Sequence, residues 1–292
     1  MTTLALAPLP VIGSVKEVGQ RYKTWLVDIW GVMHDGTRAY EPAVEAVRAF
    51  RAAGGLVLLL SNSPRPSPGV KQQLAELGVP PDAYDATVTS GDLTRHELDK
   101  QPGVRVFHLG PERDRPIFAG LDVELVGADA AELIVCSGLV NDETETPENY
   151  AELLERMAAQ QLPMLCANPD HRVERGRRLV YCAGALAAVY EGFGGQVVYA
   201  GKPYLPIYAL AMQTAGDLAG REVERREVLA IGDGVHTDIA GAVGFGLDAV
   251  FVVSGLHVAN APADGASLDG RKLAELFAGS KPPLAAMRAL VW

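Results

Sequence analysis

The chain has 292 residues, 48% of them hydrophobic and 21% charged, enough for one large core or two ordinary ones and too apolar for wholesale disorder. A formal net charge of −10 at pH 7 argues against general binding to nucleic acid or to anionic membranes. The three cysteines, Cys136, Cys166 and Cys182, form no CxxC pair and are expected as buried reduced thiols, not as a metal site or disulfide framework.

Residues 1–15 are mildly apolar but lack the basic start of a signal peptide, and no apolar run approaches the ~20 residues of a membrane span, so a cytoplasmic protein is expected. A short helix is expected near Ser14 to Tyr22. The apolar run from Trp25 then reads as a buried strand ending on Asp28. Glu41-Pro42 opens a helix with Val44, Val47 and Phe50 on its buried face and Gly54-Gly55 after its end. Leu56 to Leu60 is a continuous apolar strand running into Ser61-Asn62-Ser63. Ser67-Pro68 caps the next helix, which stops at Gly78; a strand at Ala86 to Thr89 and a helix at Asp92 to Leu98 follow.

After a Gln-Pro-Gly break near residues 100–103 a second α/β unit begins. It has expected strands at Val104 to Leu109, Leu133 to Cys136, Met164 to Ala167 and Leu179 to Tyr181, and helices at Pro147 to Gln160 and Ala183 to Phe193. The first rhythm resumes with a strand at Val197 to Tyr199 leading into Gly201-Lys202-Pro203, then a helix over Leu205 to Thr214. A strand at Val228 to Ile231 ends in Gly232-Asp233-Gly234; a helix over Thr237 to Val243 and a strand at Ala249 to Val253 complete the pattern. The alternation predicts an α/β fold, a Rossmann-like doubly wound parallel sheet with an inserted α/β cap. Residues 1–99 and 197–292 form the expected catalytic core and 100–196 the cap.

In this scheme four apolar strands each run into a polar residue: Asp28, Ser61, Lys202 and Asp233. Parallel strands put their carboxyl ends on one edge, where open α/β sheets bind ligands. Two carboxylates suit a hard cation such as Mg2+, and a hydroxyl with an ammonium suits a phosphoryl group. A carboxylate beside a metal can attack phosphorus, which predicts phosphoryl transfer through an aspartyl-phosphate.

With these residues in hand, the chain resembles the haloacid dehalogenase superfamily from about Trp25 to Gly255, and more narrowly its class IIA phosphatases, whose cap lies between the second and third motifs. The resemblance implies Asp28 in Val-Asp-Ile-Trp-Gly-Val as nucleophile, Ser61 as phosphate binder with Asn62 beside it, and Lys202 as the lysine holding nucleophile and phosphate. It implies Asp233 as a direct Mg2+ ligand, Asp238 nearby or through water, and a backbone-carbonyl contact at Trp30. Asn168 and Asp170 in Asn-Pro-Asp resemble a class IIA cap loop, and Ser254-Gly255 fits the family's last strand.

One position departs from that pattern. The family's phosphatases place a second aspartate two residues after the nucleophile, where it protonates the leaving oxygen and later activates water. Here Trp30 stands there, and indole cannot serve as acid or base. Three ways out stay open: His34 or Asp35 substitutes, with His236 a weaker candidate; the substrate has a leaving group that needs no proton; or the protein is a weakened phosphatase that mainly binds a phosphorylated ligand. The run from His171 to Arg178 holds four arginines, which either meet an anionic substrate group or form a solvated, salt-bridged face. The expected partner is a small phosphorylated substrate, with no nucleic acid and no membrane, and a homodimer through the cap. A dinucleotide oxidoreductase lacks support, since no G-x-G-x-x-G follows the first strand.

Overall fold

The computed structural model describes residues 7–175, 178–253 and 268–292. In chain order the helices and strands are α1 (Lys16–Gly19), β1 (Thr24–Asp28), α2 (Glu41–Ala52), β2 (Leu56–Ser61), α3 (Ser67–Glu76), β3 (Ala86–Thr89) and α4 (Ser90–Asp99). Next come β4 (Val104–Leu109), β5 (Val123–Leu125), β6 (Leu133–Cys136), α5 (Ala151–Ala159), β7 (Met164–Cys166), β8 (Arg172–Arg175), β9 (Arg178–Tyr181), α6 (Ala183–Gly192) and β10 (Val197–Tyr199). The chain continues through α7 (Leu205–Ala219), β11 (Val228–Gly232), α8 (Ala240–Phe245), β12 (Asp248–Val252), α9 (Gly270–Glu275) and β13 (Ala285–Met287). No described helix is long and apolar enough to cross a membrane.

The first sheet has six strands in the order β13-β12-β11-β1-β2-β3. β1 runs parallel to both β11 and β2, so the chain order reverses at β1 and the doubly wound expectation holds. Every residue of β1 is buried, as a strand covered on both faces demands. Its core is anchored by Trp25, which stacks on Phe50 of α2 with ring centroids 3.9 Å apart and donates its indole N–H to the Gly19 carbonyl at 3.2 Å. Helix α2 begins with proline in its first turn and is followed by Gly54 at φ +88°, a conformation that glycine adopts without the penalty a Cβ brings.

The second sheet has five strands in the order β10-β7-β6-β4-β5, each neighbouring pair parallel. Around it Leu109, Ile134, Tyr150, Leu154, Met157, Met164, Leu186 and Tyr190 form a buried cluster. Helix α4 starts two residues earlier than expected because Thr89 and Asp92 cap its first turn reciprocally, at 2.9 and 3.0 Å. β8 and β9 form a separate antiparallel hairpin. All three cysteines are free and buried, and burial pushes the Cys136 thiol up to about 12, as befits an inert packing residue.

By compactness the chain divides into one unit within 1–60, 71–87 and 208–292 and another within 61–70 and 88–207. The expectation that Val197 to Tyr199 rejoins the first sheet is corrected. β10 pairs with β7, Val197 opposite Met164 and Tyr199 opposite Cys166, so it completes the second sheet and the first resumes only at β11. Lys202 therefore follows a strand of the second sheet, and the picture of four strand ends on one sheet does not apply to it. Strands β5, β8 and β13 carry too little local pattern to be foreseen, and the expected helix at Pro147 is a 3-10 turn, Pro147–Tyr150, before α5. Ser254 and Gly255 lie outside the described residues.

Candidate active site

Strand β1 delivers Asp28 as its last residue, and neighbouring β11 ends at Gly232, one residue before Asp233. Their register, Val27 opposite Ile231, places the two acids at the same edge. A π-type turn, Val235–Ile239, then turns Asp238 back toward them. One carboxylate oxygen from each of Asp28, Asp233 and Asp238 lies within 4.8 Å of the others, and the residues are only 7%, 1% and 8% exposed. Three buried carboxylates this close repel unless a cation or donors compensate them. Part of the compensation is local: the Gly234 N–H donates to Asp238 Oδ2 at 3.1 Å, as does the Thr237 hydroxyl at 3.3 Å. The set is all oxygen and all acidic, the donor chemistry of a hard divalent cation, and the residues present fit Mg2+.

Glycines make this crowding sterically feasible. Gly31 has φ +85°, and a Cβ there would lie 2.1 Å from Asp233 Oδ2. At Gly232 a Cβ would meet Asp238 Cγ at 2.3 Å. Both glycines flank the acids in the sequence, but only the folded approach of the backbone reveals the steric need for them.

The loop after Asp28 folds tightly on itself. Met33 N–H donates to the Ile29 carbonyl (2.8 Å) and Gly31 N–H to the His34 carbonyl (2.9 Å). The half-buried Trp30 ring lies over Gly36, where a Cβ would be 2.4 Å from it, and meets the His34 ring edge-on at 5.1 Å. His34 is 2% exposed, and its Nδ1 accepts the Gly36 N–H at 3.0 Å. Burial lowers its pKa to about 4, so the imidazole is neutral at pH 7. Asp35 Oδ1 accepts from the Thr37 hydroxyl (2.5 Å), the Thr37 N–H (2.9 Å) and the Arg38 N–H (3.0 Å). The Thr37 hydroxyl, foremost among these, holds the Asp35 carboxyl below its usual range. His236, in the π-type turn, is exposed.

The remaining expected residues belong to the second unit. The Asn62 amide clasps the Lys202 peptide from both sides: Oδ1 accepts the Lys202 N–H at 2.7 Å, and Nδ2 donates to the Lys202 carbonyl at 3.0 Å. Nδ2 also donates to Asp170 Oδ1 at 2.9 Å. Asn168 Oδ1 accepts the Asp170 N–H at 3.0 Å, which shapes the Asn-Pro-Asp turn. Lys202, Asn62 and Asn168 are buried, at 3%, 6% and 8% exposure. Gly201 fits between Asn62 and Ser90, since a Cβ there would stand 2.7 Å from Asn62 Oδ1 and 2.4 Å from the Ser90 hydroxyl. Ser61 is half-buried, and its Oγ accepts the Ser63 N–H at 3.1 Å.

The described arginines of the run from His171 are engaged within the protein. Arg175 pairs with Asp142, its nearer nitrogen at 2.7 Å; Arg172 lies 4.3 Å over the Tyr181 ring; and Arg178 donates to the Glu143 carbonyl at 3.2 Å. Arg177 lies outside the described residues.

Comparison with known proteins finds relatives over most of the chain. A family model described as haloacid dehalogenase-like hydrolase matches residues 25–124, and a second, HAD-hydrolase-like, matches 199–269. The chain is 28% identical over 239 residues to the 5'-nucleotidase YutF of Bacillus subtilis, covering 80% of this chain and 88% of that one. It is 26% identical over 241 residues to acid sugar phosphatase of Staphylococcus aureus, covering 81% and 88%. Among solved structures, a hydrolase of the haloacid dehalogenase-like family from Brucella suis matches with a TM-score of 0.84 and 45% identity, covering 95% of this chain and 99% of that one. Given that identity over nearly the full length of both proteins, the chain belongs to the haloacid dehalogenase-like hydrolase family, in keeping with the class IIA resemblance.

Proposed function

We propose that the chain is a Mg2+-dependent phosphatase of a small phosphorylated metabolite, acting through an aspartyl-phosphate on Asp28. The buried triad of Asp28, Asp233 and Asp238 at the carboxyl ends of β1 and β11 carries this reading. These three acids would hold the ion, with the Trp30 backbone carbonyl as a further oxygen. A bound ion supplies charge neutralisation for the phosphoryl oxygens. Asp28 then attacks phosphorus, the bond to the leaving oxygen breaks, and water later frees the phosphate from Asp28. Ser61, Asn62 and Lys202 are assigned to phosphate binding, and Asn168 and Asp170 to the substrate beyond it. The clasp of Asn62 on the main chain of Lys202 supports a fixed backbone position for that lysine.

The names of the two curated relatives, a 5'-nucleotidase and an acid sugar phosphatase, support a nucleotide or sugar phosphate as substrate class. The second sheet, from residue 100 through β10, is assigned as the cap that selects among such substrates. The test is phosphate release from nucleotides, sugar phosphates, acyl phosphates and pyridoxal phosphate, with Mg2+ present and then chelated. Mg2+-dependent release that Asp28→Asn abolishes supports the reading, and unaltered release in that variant refutes it. Trp30 favours a second reading, a catalytically weakened member that binds a phosphorylated ligand as sensor or partner module. Tight ligand binding with no release from any donor would establish that alternative.

A further inference from the structure

We propose that this enzyme takes phosphates whose leaving group departs without a proton, such as acyl phosphates or phosphoanhydrides, and that the phosphoryl group lingers on Asp28. The proposal rests on the phosphatase reading above, and within it ranks acyl phosphates and anhydrides, nucleoside polyphosphates among them, ahead of sugar phosphates and nucleoside monophosphates. It follows from what the loop after Asp28 can and cannot supply.

In the first step an Asp28 oxygen forms a bond to phosphorus, the bond to the leaving oxygen breaks, and that oxygen keeps the electron pair. An alkoxide must gain a proton as it leaves, whereas a carboxylate or a phosphate leaves as the stable anion. In the second step a water oxygen bonds to phosphorus, Asp28 departs as carboxylate, and the proton of the water needs an acceptor. One acid–base group beside Asp28 could serve both steps, and in the loop from Trp30 to Arg38 each candidate has an acceptor atom already engaged in the loop's own hydrogen bonds. Trp30 has only an indole N–H, and its ring is seated on Gly36 and against His34. His34 accepts the Gly36 N–H at Nδ1, so its one proton sits on Nε2 and its acceptor nitrogen is in use. The ring is also sealed at 2% exposure. Asp35 spends Oδ1 on three donors from Thr37 and Arg38, while Oδ2 stands 3.9 Å from Arg38 Nε. His34 and Asp35, the two substitutes that lie in this loop, are thus committed to shaping it, and the weaker candidate His236 stands exposed in the turn that carries Asp238.

The test uses the full-length protein with Mg2+ and a series of donors: acetyl phosphate, phenyl phosphate, then glycerol phosphate. kcat/KM should fall along the series by roughly 10²- to 10⁴-fold, the range of a general acid–base contribution. Acetyl phosphate should give a burst of acetate followed by slow turnover, with the mass of one phosphoryl group on the protein. Trp30→Asp should raise glycerol phosphate turnover, flatten the series and shrink the burst. If that variant does not fold, the wild-type series and the mass measurement still decide. Equal kcat/KM across the series, with release that depends on Asp28, overturns the proposal and leaves the phosphatase reading intact. No release and no adduct from any donor overturns both.

Discussion

Gly31→Ala separates the metal site from general stability. A methyl at Gly31 faces two distinct penalties. At φ +85° an L-residue is disfavoured by about 1–2 kcal/mol. The new Cβ also lies 2.1 Å from Asp233 Oδ2, far inside contact distance, so that carboxylate must retreat by about an ångström. Gly54→Ala isolates the first penalty, because Gly54 has φ +88° and nothing within 4 Å of its Cβ position. Gly54→Ala should therefore lose about 1–2 kcal/mol in denaturant unfolding without metal, and Gly31→Ala more, by the cost of moving Asp233 aside. They should differ in Mg2+ binding, where displacing a ligand oxygen by about an ångström is worth on the order of a hundredfold. At Mg2+ held near 100 times the wild-type Kd, wild type and Gly54→Ala gain about 2.7 kcal/mol from the ion, and Gly31→Ala only a few tenths. Calorimetric titration and thermal unfolding with and without Mg2+ read this directly. Gly31→Ala binding Mg2+ as tightly as Gly54→Ala would refute the claim that Asp233 is held for a cation.

Other residues yield separate tests. Trp25→Ala removes the ring stacked on Phe50 and the donor to Gly19, and should destabilise the protein by about 3–5 kcal/mol in urea unfolding. Asn62→Ala leaves the N–H and carbonyl of Lys202 without their side-chain partners; stability should drop by about 1–3 kcal/mol, with a larger relative loss in phosphate release than in Mg2+ affinity. Burial lowers the His108 pKa from the ordinary 6.5 to about 4. The unfolded chain binds that proton more readily, so stability should fall as pH drops from about 6.5 toward 4, and His108→Gln should make the unfolding midpoint less pH-dependent across that window. For Asp142, burial pushes the carboxyl up, but hydrogen bonds from Arg175 and Arg113 outweigh it and leave a lowered pKa. That contribution is present above the ordinary aspartate value and is lost as pH falls through the lowered one, so Asp142→Asn should weaken the acid limb of the stability profile below about pH 4.

What the sequence revealed followed from how local each signal is. β1, β2 and β11 were legible because each is a run of apolar residues that ends on a polar one or has it just beyond, a pattern that needs no tertiary knowledge. Asp28 and Asp233 were visible for the same reason, as acids at or just past strand ends. β10 was visible as a strand, but three residues cannot say which sheet they join; pairing with β7 is a long-range choice, and it moved Lys202 off the first sheet. His34 looked like a proton donor because histidine titrates near neutrality, while its burial, its edge-on contact with Trp30 and its bond from Gly36 are tertiary facts. Asn62 carried a phosphate-site label, and the structure adds its grip on the backbone of Lys202, 140 positions away. The arginine run left an anion site and a salt-bridged face both open, and its described members meet Asp142, the Tyr181 ring and the Glu143 carbonyl.

The proposed chemistry turns on Asp28 becoming phosphorylated. The most direct measurement is to quench the protein in acid during turnover of acetyl phosphate with Mg2+, reduce with borohydride, and map the modified peptide by mass spectrometry. The account predicts that Asp28 alone is reduced to homoserine with loss of its phosphate, a change absent when Mg2+ is chelated and absent from Asp28→Asn. Phosphate release with Asp28 unmodified, or a label on another side chain, would contradict it.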